Sequence, residues 1–400
     1  MIGGLAILVT LVLAALLFHP RLTGSPQWRA IVTPLASIIG SGFLVSVPIL
    51  RDLSGSWAAG LMAGLLAVSY CVGAAIRHNI RHVEPLLYNG QSVRSIVSLE
   101  QISHAALAFA YFVSVAYYLV LFSTFLLKPF GIADEFTVKL IVSLCLAVIG
   151  VTGLLRGFGA EEKLEIYAVS IKLAVIGGLL AALVAYALYL VFDGGIATLP
   201  GHFETRNLPV LLGLLIVVQG FETSRFLGDA YDADLRIKTM KQAQLLAAVI
   251  YLGFFVAMTP LFGVNTGLDG VAAIVDMLAR VSAILPVMIV LGALASQSSA
   301  AIADTLGAGG LVRDVSAKKI NVRHAYLLTA IVAVAITWET DIYSLITLAS
   351  RCFAFYYALQ CLIAAISAFR LKQSRQAAGF FGFAVICTLI VIFGTPVEGE

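Results

Sequence analysis

Apolar residues run through this chain in blocks of about 17 to 25, the length that crosses a bilayer as a single helix. Twelve blocks are legible: 2–19, 29–50, 56–76, 101–127, 137–155, 164–192, 208–228, 243–264, 281–306, 325–339, 342–369 and 378–394. Glu339 and Asp341 divide the run around residue 340 into two crossings. The longest polar connector, residues 77 to 100, is basic and carries His78 and His82. It reads as a solvated interfacial segment. The pattern predicts an all-α polytopic membrane protein with no soluble domain.

Two blocks carry polar punctuation at their centres. The first holds the stretch Ala36 to Pro48, A-S-I-I-G-S-G-F-L-V-S-V-P. A glycine costs about 1 kcal/mol against alanine in a helix interior. A continuous crossing has no use for that weakness, whereas a helix that opens halfway does. Its freed backbone groups then need a polar pocket, the one setting that tolerates them at membrane depth. Ten blocks lie between the first and the last, and they divide evenly into 29–192 and 208–369, joined by 193–207. The first crossings of the two halves enter from opposite sides. Inverted halves of this kind form their site at discontinuous helices in corresponding positions, so 208–228 should be interrupted as well. Gln219, Gly220 and Glu222 interrupt it. A carboxylate at the bilayer centre costs about 2.5–3.5 kcal/mol on insertion scales and is a functional candidate by default. Residues 1–28 and 370–400 then supply one extra crossing and a tail or linker at each end.

Composition sharpens this picture. The 400 residues are 60% hydrophobic and 12% charged, against about 25% charged in soluble domains. The net charge of +3 gives no ground for a nucleic-acid partner. With the N-terminus outside, 17 lysines and arginines fall in cytoplasmic segments and 5 in outer ones, while Lys172, Arg225 and Arg351 lie within crossings. That asymmetry orients the chain. The first block has neither a basic n-region nor an A-x-A site and reads as a retained helix rather than a signal peptide. Cys71, Cys145, Cys352, Cys361 and Cys387 sit in apolar blocks at no metal-like spacing, so they read as reduced, buried thiols. No H-E-x-x-H, G-x-S-x-G, His cluster or P-loop is present, which argues against an enzyme and implies no cofactor. A bacterial inner membrane is the expected setting.

Four motifs stand in order along residues 29 to 369. G-S-G-F, followed by Pro48, is similar to the first-helix signature of the amino acid–polyamine–organocation superfamily. E-K-L-E-I-Y-A-V-S-I-K-L, from Glu162 to Leu173, resembles its fifth helix, lysine included. G-F-E of Gly220 to Glu222 resembles its sixth-helix motif, and S-S-A-A-I-A-D of Ser298 to Asp304 its eighth. After G-F-E the chain reads G-D-A-Y-D-A-D-L-R-I-K, without the N-P usual in the family. The resemblance implies a five-plus-five inverted-repeat fold with broken first and sixth core helices, and a secondary transporter of amino acids or related amines.

An amino acid presents a carboxylate and an ammonium, and an opened helix supplies a partner for each. The N–H groups of Ser41 and Gly42, with Gly40 at the break, are the expected carboxylate site. Carbonyls near Ile38 and Ile39, and from Val218, Gln219 and Gly220, are the expected ammonium acceptors, with Glu222 beside them. The resemblance makes Phe221 a lid candidate. Phe109, Phe112 and Tyr117 are wall candidates among the aromatics of 101–127, and helical phase alone does not choose between them.

Two candidates compete for the coupling ion. Carbonyls of Ala36, Ile39 and Ala295 with the hydroxyls of Ser298 and Ser299 resemble a sodium cage. Lys172 matches the fifth-helix lysine whose ammonium occupies that place in proton-coupled members. The reading favours proton coupling or exchange over sodium. Arg225, Asp229, Asp304 and Arg351 are gate candidates, with an Arg225–Glu222 pair expected within the sixth core helix. The alternatives left open are a carrier of the same fold for a nucleobase, an organic cation or an inorganic ion, and a non-transport membrane protein.

Overall fold

The computed structural model describes residues 1–40, 42–157, 161–193, 199–228, 230–263, 270 and 272–396, with the backbone alone for 161–165. Every regular element among them is helical. α1 covers Ile2–Leu17. α2 (Pro26–Ile38) and α3 (Gly42–Ser54) are the halves of the first broken crossing. α4 (Ala58–His82), α5 (Arg94–Leu127), α6 (Glu135–Arg156) and α7 (Glu161–Asp193) complete the first half. The second half opens with α8 (Leu208–Leu212), which passes into two 3-10 segments, Leu215–Val218 and Phe221–Leu227. α9 (Ala233–Met258), α10 (Ile284–Val315), α11 (Val322–Glu339), α12 (Ile342–Arg370) and α13 (Ser374–Phe393) follow.

The helices start where the sequence supplies caps. Asp134 accepts from the N–H of Thr137 at 2.8 Å, and Asp232 from that of Leu235 at 2.8 Å. Asp341, which splits the apolar run, accepts from Tyr343 and Ser344 at 2.9 and 3.0 Å and so begins α12. Each takes up a first-turn N–H that has no carbonyl within its helix.

The halves interlock through equivalent elements. α2 packs on Phe221–Leu227, α4 on α9, α5 on α10 and α6 on α11. Each is a crossing meeting its own counterpart, as a pseudo-twofold through the centre requires. In lipid such seams depend on close backbone approach rather than on apolar burial. At the α6–α11 seam, a Cβ on Gly150 would stand 2.8 Å from that of Ala330. The extra helices flank this core: α1 lies along α7 and α13 along α12. Leu144, Val148 and Leu155 of α6 face outward and are more than half exposed. Such a face is expected of a surface solvated by acyl chains. All five cysteines are free thiols.

Candidate functional site

At the first break the helix stops at Ile38, and Ile39 leaves helical geometry at φ −88°, ψ 54°. The released carbonyls have to be satisfied, because an unpaired buried C=O is expensive. Lys172, on α7, donates its Nζ to Ala36 O at 2.9 Å and to Ile39 O at 2.7 Å. Ser296 of α10 adds its hydroxyl at 3.5 Å from Ile39 O. The Tyr251 hydroxyl of α9 lies 3.0 Å from Ile38 O and 2.5 Å from Val217 O. Lys172 is only 3% exposed, so the carbonyl dipoles stand in for the water its ammonium has lost.

At the second break Gln219 is extended and Gly220 adopts φ +113°, a region open chiefly to glycine. Ser69 donates to Val218 O at 3.0 Å. Gln219 Nε2 donates to the Tyr118 hydroxyl at 2.9 Å. Glu222 Oε2 accepts from Gly220 N at 2.9 Å and from the Tyr357 hydroxyl at 2.6 Å. The Phe221 ring stacks on Tyr357, centroids 5.0 Å apart.

The breaks also pack on each other reciprocally. A Cβ on Gly42 would meet the backbone of Val217, 2.5 Å from its oxygen. One on Gly220 would stand 2.6 Å from Ser37 C and 2.7 Å from Ile38 N. Each break thus uses a glycine to seat itself against the residues that precede the other. Beside them a cavity of about 20 Å³ is lined by Gly40, Lys172, Ser296 and apolar side chains. That is room for about one water.

A second polar cluster lies at the end of the bundle that carries Arg81, Arg94 and Arg236, called here the basic end. Arg225 pairs with Glu100 at 2.8 Å and Glu84 at 3.5 Å, and also bonds Gln360. Arg236 pairs with Glu84 at 2.7 Å and donates to Arg225 O at 2.8 Å. Asn79 reaches Gln360, and Gln360 reaches Ser103. α4, the short helix Glu84–Tyr88 after it, α5, the second broken crossing, α9 and α12 are thereby tied at one level.

A sequence model described as an APC superfamily transporter matches residues 20–394. The chain belongs to the APC superfamily of transporters. An uncharacterised protein of Aquifex aeolicus is 40% identical over 384 residues, 95% of this chain and 93% of that one. Among solved structures the chain is similar to a manganese transporter mutant of Eremococcus coleocola, at a TM-score of 0.53 over 92% of this chain and 87% of that one. It is also similar to a sodium-coupled sialic acid symporter, at 0.51 over 99% and 96%, and to inward-facing Mhp1, at 0.50 over 92% and 89%. Each is 14% identical and so shares the fold. This APC-superfamily member is a secondary transporter on the five-plus-five inverted repeat, an integral multi-pass membrane protein.

Several residues of the transporter stand otherwise than the sequence led us to expect. Carbonyls of Ile38, Ile39 and Val218 are not open to an ammonium in this conformation, because Tyr251, Lys172 and Ser69 occupy them. The Gly220 carbonyl accepts from Thr223 Oγ1 at 2.8 Å. A side chain on Gly42 would run into Val217. Ser41 and Asp229 lie outside the described residues. The five-oxygen sodium cage is not assembled here. Lys172 holds Ala36 O and Ile39 O, while Ser298 and Ser299 bond carbonyls of their own helix, at 2.8 Å to Leu294 and 3.0 Å to Ser296. Such back-bonding takes up serine hydroxyls on helices, and Ala295 O accepts one of them at 3.2 Å. Arg225 turns away from Glu222 to Glu100. Asp304 bonds Ser114. Arg351 is exposed and donates to Val391 O and Ile392 O at 2.7 and 3.0 Å, capping α13; it stands apart from the basic-end cluster. Phe109 is 46% exposed, so it does not wall the site, whereas Tyr117 is buried. Tyr251, Ser69, Tyr357 and Ser296 went unremarked in the sequence, and Tyr118 counted only as one of the aromatics of 101–127. Their signal was a polar atom at mid-block in an otherwise apolar crossing.

Proposed function

We propose that this transporter moves amino acids or related amines by alternating access, coupled to protons or to exchange rather than to sodium. One observation carries the reading: the Lys172 ammonium, 2.7 Å from Ile39 O and 2.9 Å from Ala36 O. A cation of the chain itself fills the oxygens a sodium ion would need. Loss of its proton would weaken both bonds and loosen the first break, which links protonation to opening. The reading assigns transport rather than catalysis. The Arg225–Glu100–Glu84–Arg236 cluster serves as the gate at the basic end. The lysine and arginine asymmetry supports that end as cytoplasmic, with the N-terminus outside; a bacterial inner membrane is the setting we propose.

The experiment is uptake of a labelled amino-acid and amine panel into proteoliposomes, with and without sodium, and with a proton gradient. Uptake that follows the proton gradient or an internal exchange partner, and ignores sodium, is expected. Strict sodium dependence contradicts the coupling. Movement of another solute class alone contradicts the substrate.

A further inference from the structure

Arg77 stands on α4 one turn nearer the bilayer centre than Arg81, and the two arginines are held differently. Arg81 is exposed and pairs with Asp234 at 2.7 Å. Arg77 is half-buried and forms no ion pair with a carboxylate among the described residues. Its Nη1 donates to Gln244 Oε1 of α9, and its Nη2 to Tyr70 O at 3.3 Å. The guanidinium carbon lies 4.9 Å from the centre of the Tyr70 ring, an attractive contact that helps to fix the group in place. A guanidinium does not shed its proton in a protein, and it has five N–H groups to satisfy. Neutral partners take two of them here. A charge drawn out of water is tolerated when an anion pairs with it, and no described carboxylate does so.

The surface beside Arg77 suits a lipid phosphate. Lys241 stands one turn before Gln244 on α9 and so on the same side of that helix. It is exposed and in no ion pair among the described residues. Leu245 and Val249 follow it at intervals of four toward the bilayer centre, and they are 47% and 70% exposed. The planar fork of an arginine matches phosphate, and an apolar stripe below two cations matches acyl chains, which a soluble anion lacks. Basic pockets between crossings are where anionic head groups bind. A hydrogen-bonded line leads inward from the same place. The Gln244 amide lies where a Cβ on Gly73 would stand. Its Nε2 donates to Ser69 O at 2.9 Å, and the Ser69 hydroxyl donates to Val218 O, at the second break, at 3.0 Å. We infer that Arg77 and Lys241 bind the phosphate of an anionic phospholipid at the basic end, and that the bound lipid steadies the second break through Gln244 and Ser69. The site is separate from Lys172 and from any substrate, so it holds whichever solute the carrier moves.

The test uses the full chain in a neutral detergent, native and as Arg77→Gln, Lys241→Gln, Arg81→Gln and Ser69→Ala. Native mass spectrometry reads retention of phosphatidylglycerol against phosphatidylcholine. The thermal midpoint is read with each lipid and with sodium phosphate. Native protein should retain phosphatidylglycerol preferentially and gain stability from it, but not from sodium phosphate. Arg77→Gln should weaken retention about tenfold, the effect of losing one charge-assisted bond. Lys241→Gln should weaken it as well, and Arg81→Gln should leave it unchanged, since Arg81 pairs with Asp234. Equal retention of the two lipids by native protein overturns the site, as does native retention by Arg77→Gln. Equal stabilisation by sodium phosphate overturns the lipid in favour of a soluble anion. Ser69→Ala should keep the lipid and gain less stability from it; an undiminished gain overturns the link to the second break. Should a variant misfold, the native protein decides alone. Phosphatidylglycerol with a photoreactive acyl chain should label residues 245–249 more than its phosphatidylcholine analogue does. Equal labelling overturns the site.

Discussion

The hydroxyl of Tyr251 lies 2.5 Å from the carbonyl oxygen of Val217, and its second contact, Ile38 O, comes from the other broken crossing at 3.0 Å. One side chain of α9 therefore clips both breaks together. Removing the hydroxyl takes away the one donor the two buried carbonyls share, which costs about 1–3 kcal/mol when nothing replaces it. Tyr251→Phe should lower the thermal midpoint in detergent and slow uptake together. A midpoint and a rate equal to the native values would show that the clip contributes nothing.

Gly220 is constrained twice, by φ +113° and by the Ser37–Ile38 backbone against it. Overpacking of this kind costs about 1–3 kcal/mol, and a non-glycine residue in that backbone region adds strain. Gly60, on α4, has open space within 4 Å of where a Cβ would stand and serves as the control. Gly220→Ala should unfold well below native protein, and Gly60→Ala close to it. Equal midpoints for the two variants would contradict the reciprocal packing.

The pair of Arg225 and Glu100 is buried on both sides. Removing one partner of such a pair costs about 3–5 kcal/mol, while replacing both with apolar groups costs far less. Arg225→Met should destabilise more than Arg225→Met combined with Glu100→Met. Both should speed efflux from preloaded vesicles, because the basic end no longer closes. Unchanged efflux in the double variant would remove the gate role.

Arg351 acts on the last turn of α13, where a cation is worth about 0.3–1 kcal/mol. Arg351→Gln should shift the midpoint slightly and leave uptake unchanged. A loss of transport without a loss of stability would return Arg351 to the working parts of the carrier.

The crossings and both breaks were legible because the bilayer enforces them: length, apolar content and glycine position leave few alternatives. What satisfies the breaks was harder to read. Lys172 could be matched to Ala36 and Ile39 because it resembles the family's fifth-helix lysine, whose ammonium takes the sodium place that those carbonyls outline. Ser296 was passed over for Ser298 and Ser299, which follow it by two and three residues, about 200° and 300° around the helix. Tyr251 looks like any core tyrosine until α9 is laid against both breaks. Glu84 and Glu100 sit in and beside a basic connector, where carboxylates read as solvated until Arg225 and Arg236 reach them. The inverted repeat put the breaks side by side. Sequence alone did not tell that Gly42 and Gly220 make room for backbone rather than for a ligand.

We propose that the Lys172 ammonium carries the coupling. Its most direct test is substrate-driven proton movement, followed with a pH dye trapped in proteoliposomes, for native protein and Lys172→Ala. Adding substrate to native vesicles should move protons with it. Lys172→Ala should keep solute counterflow and lose the proton signal. Proton movement of native size in Lys172→Ala would contradict the account.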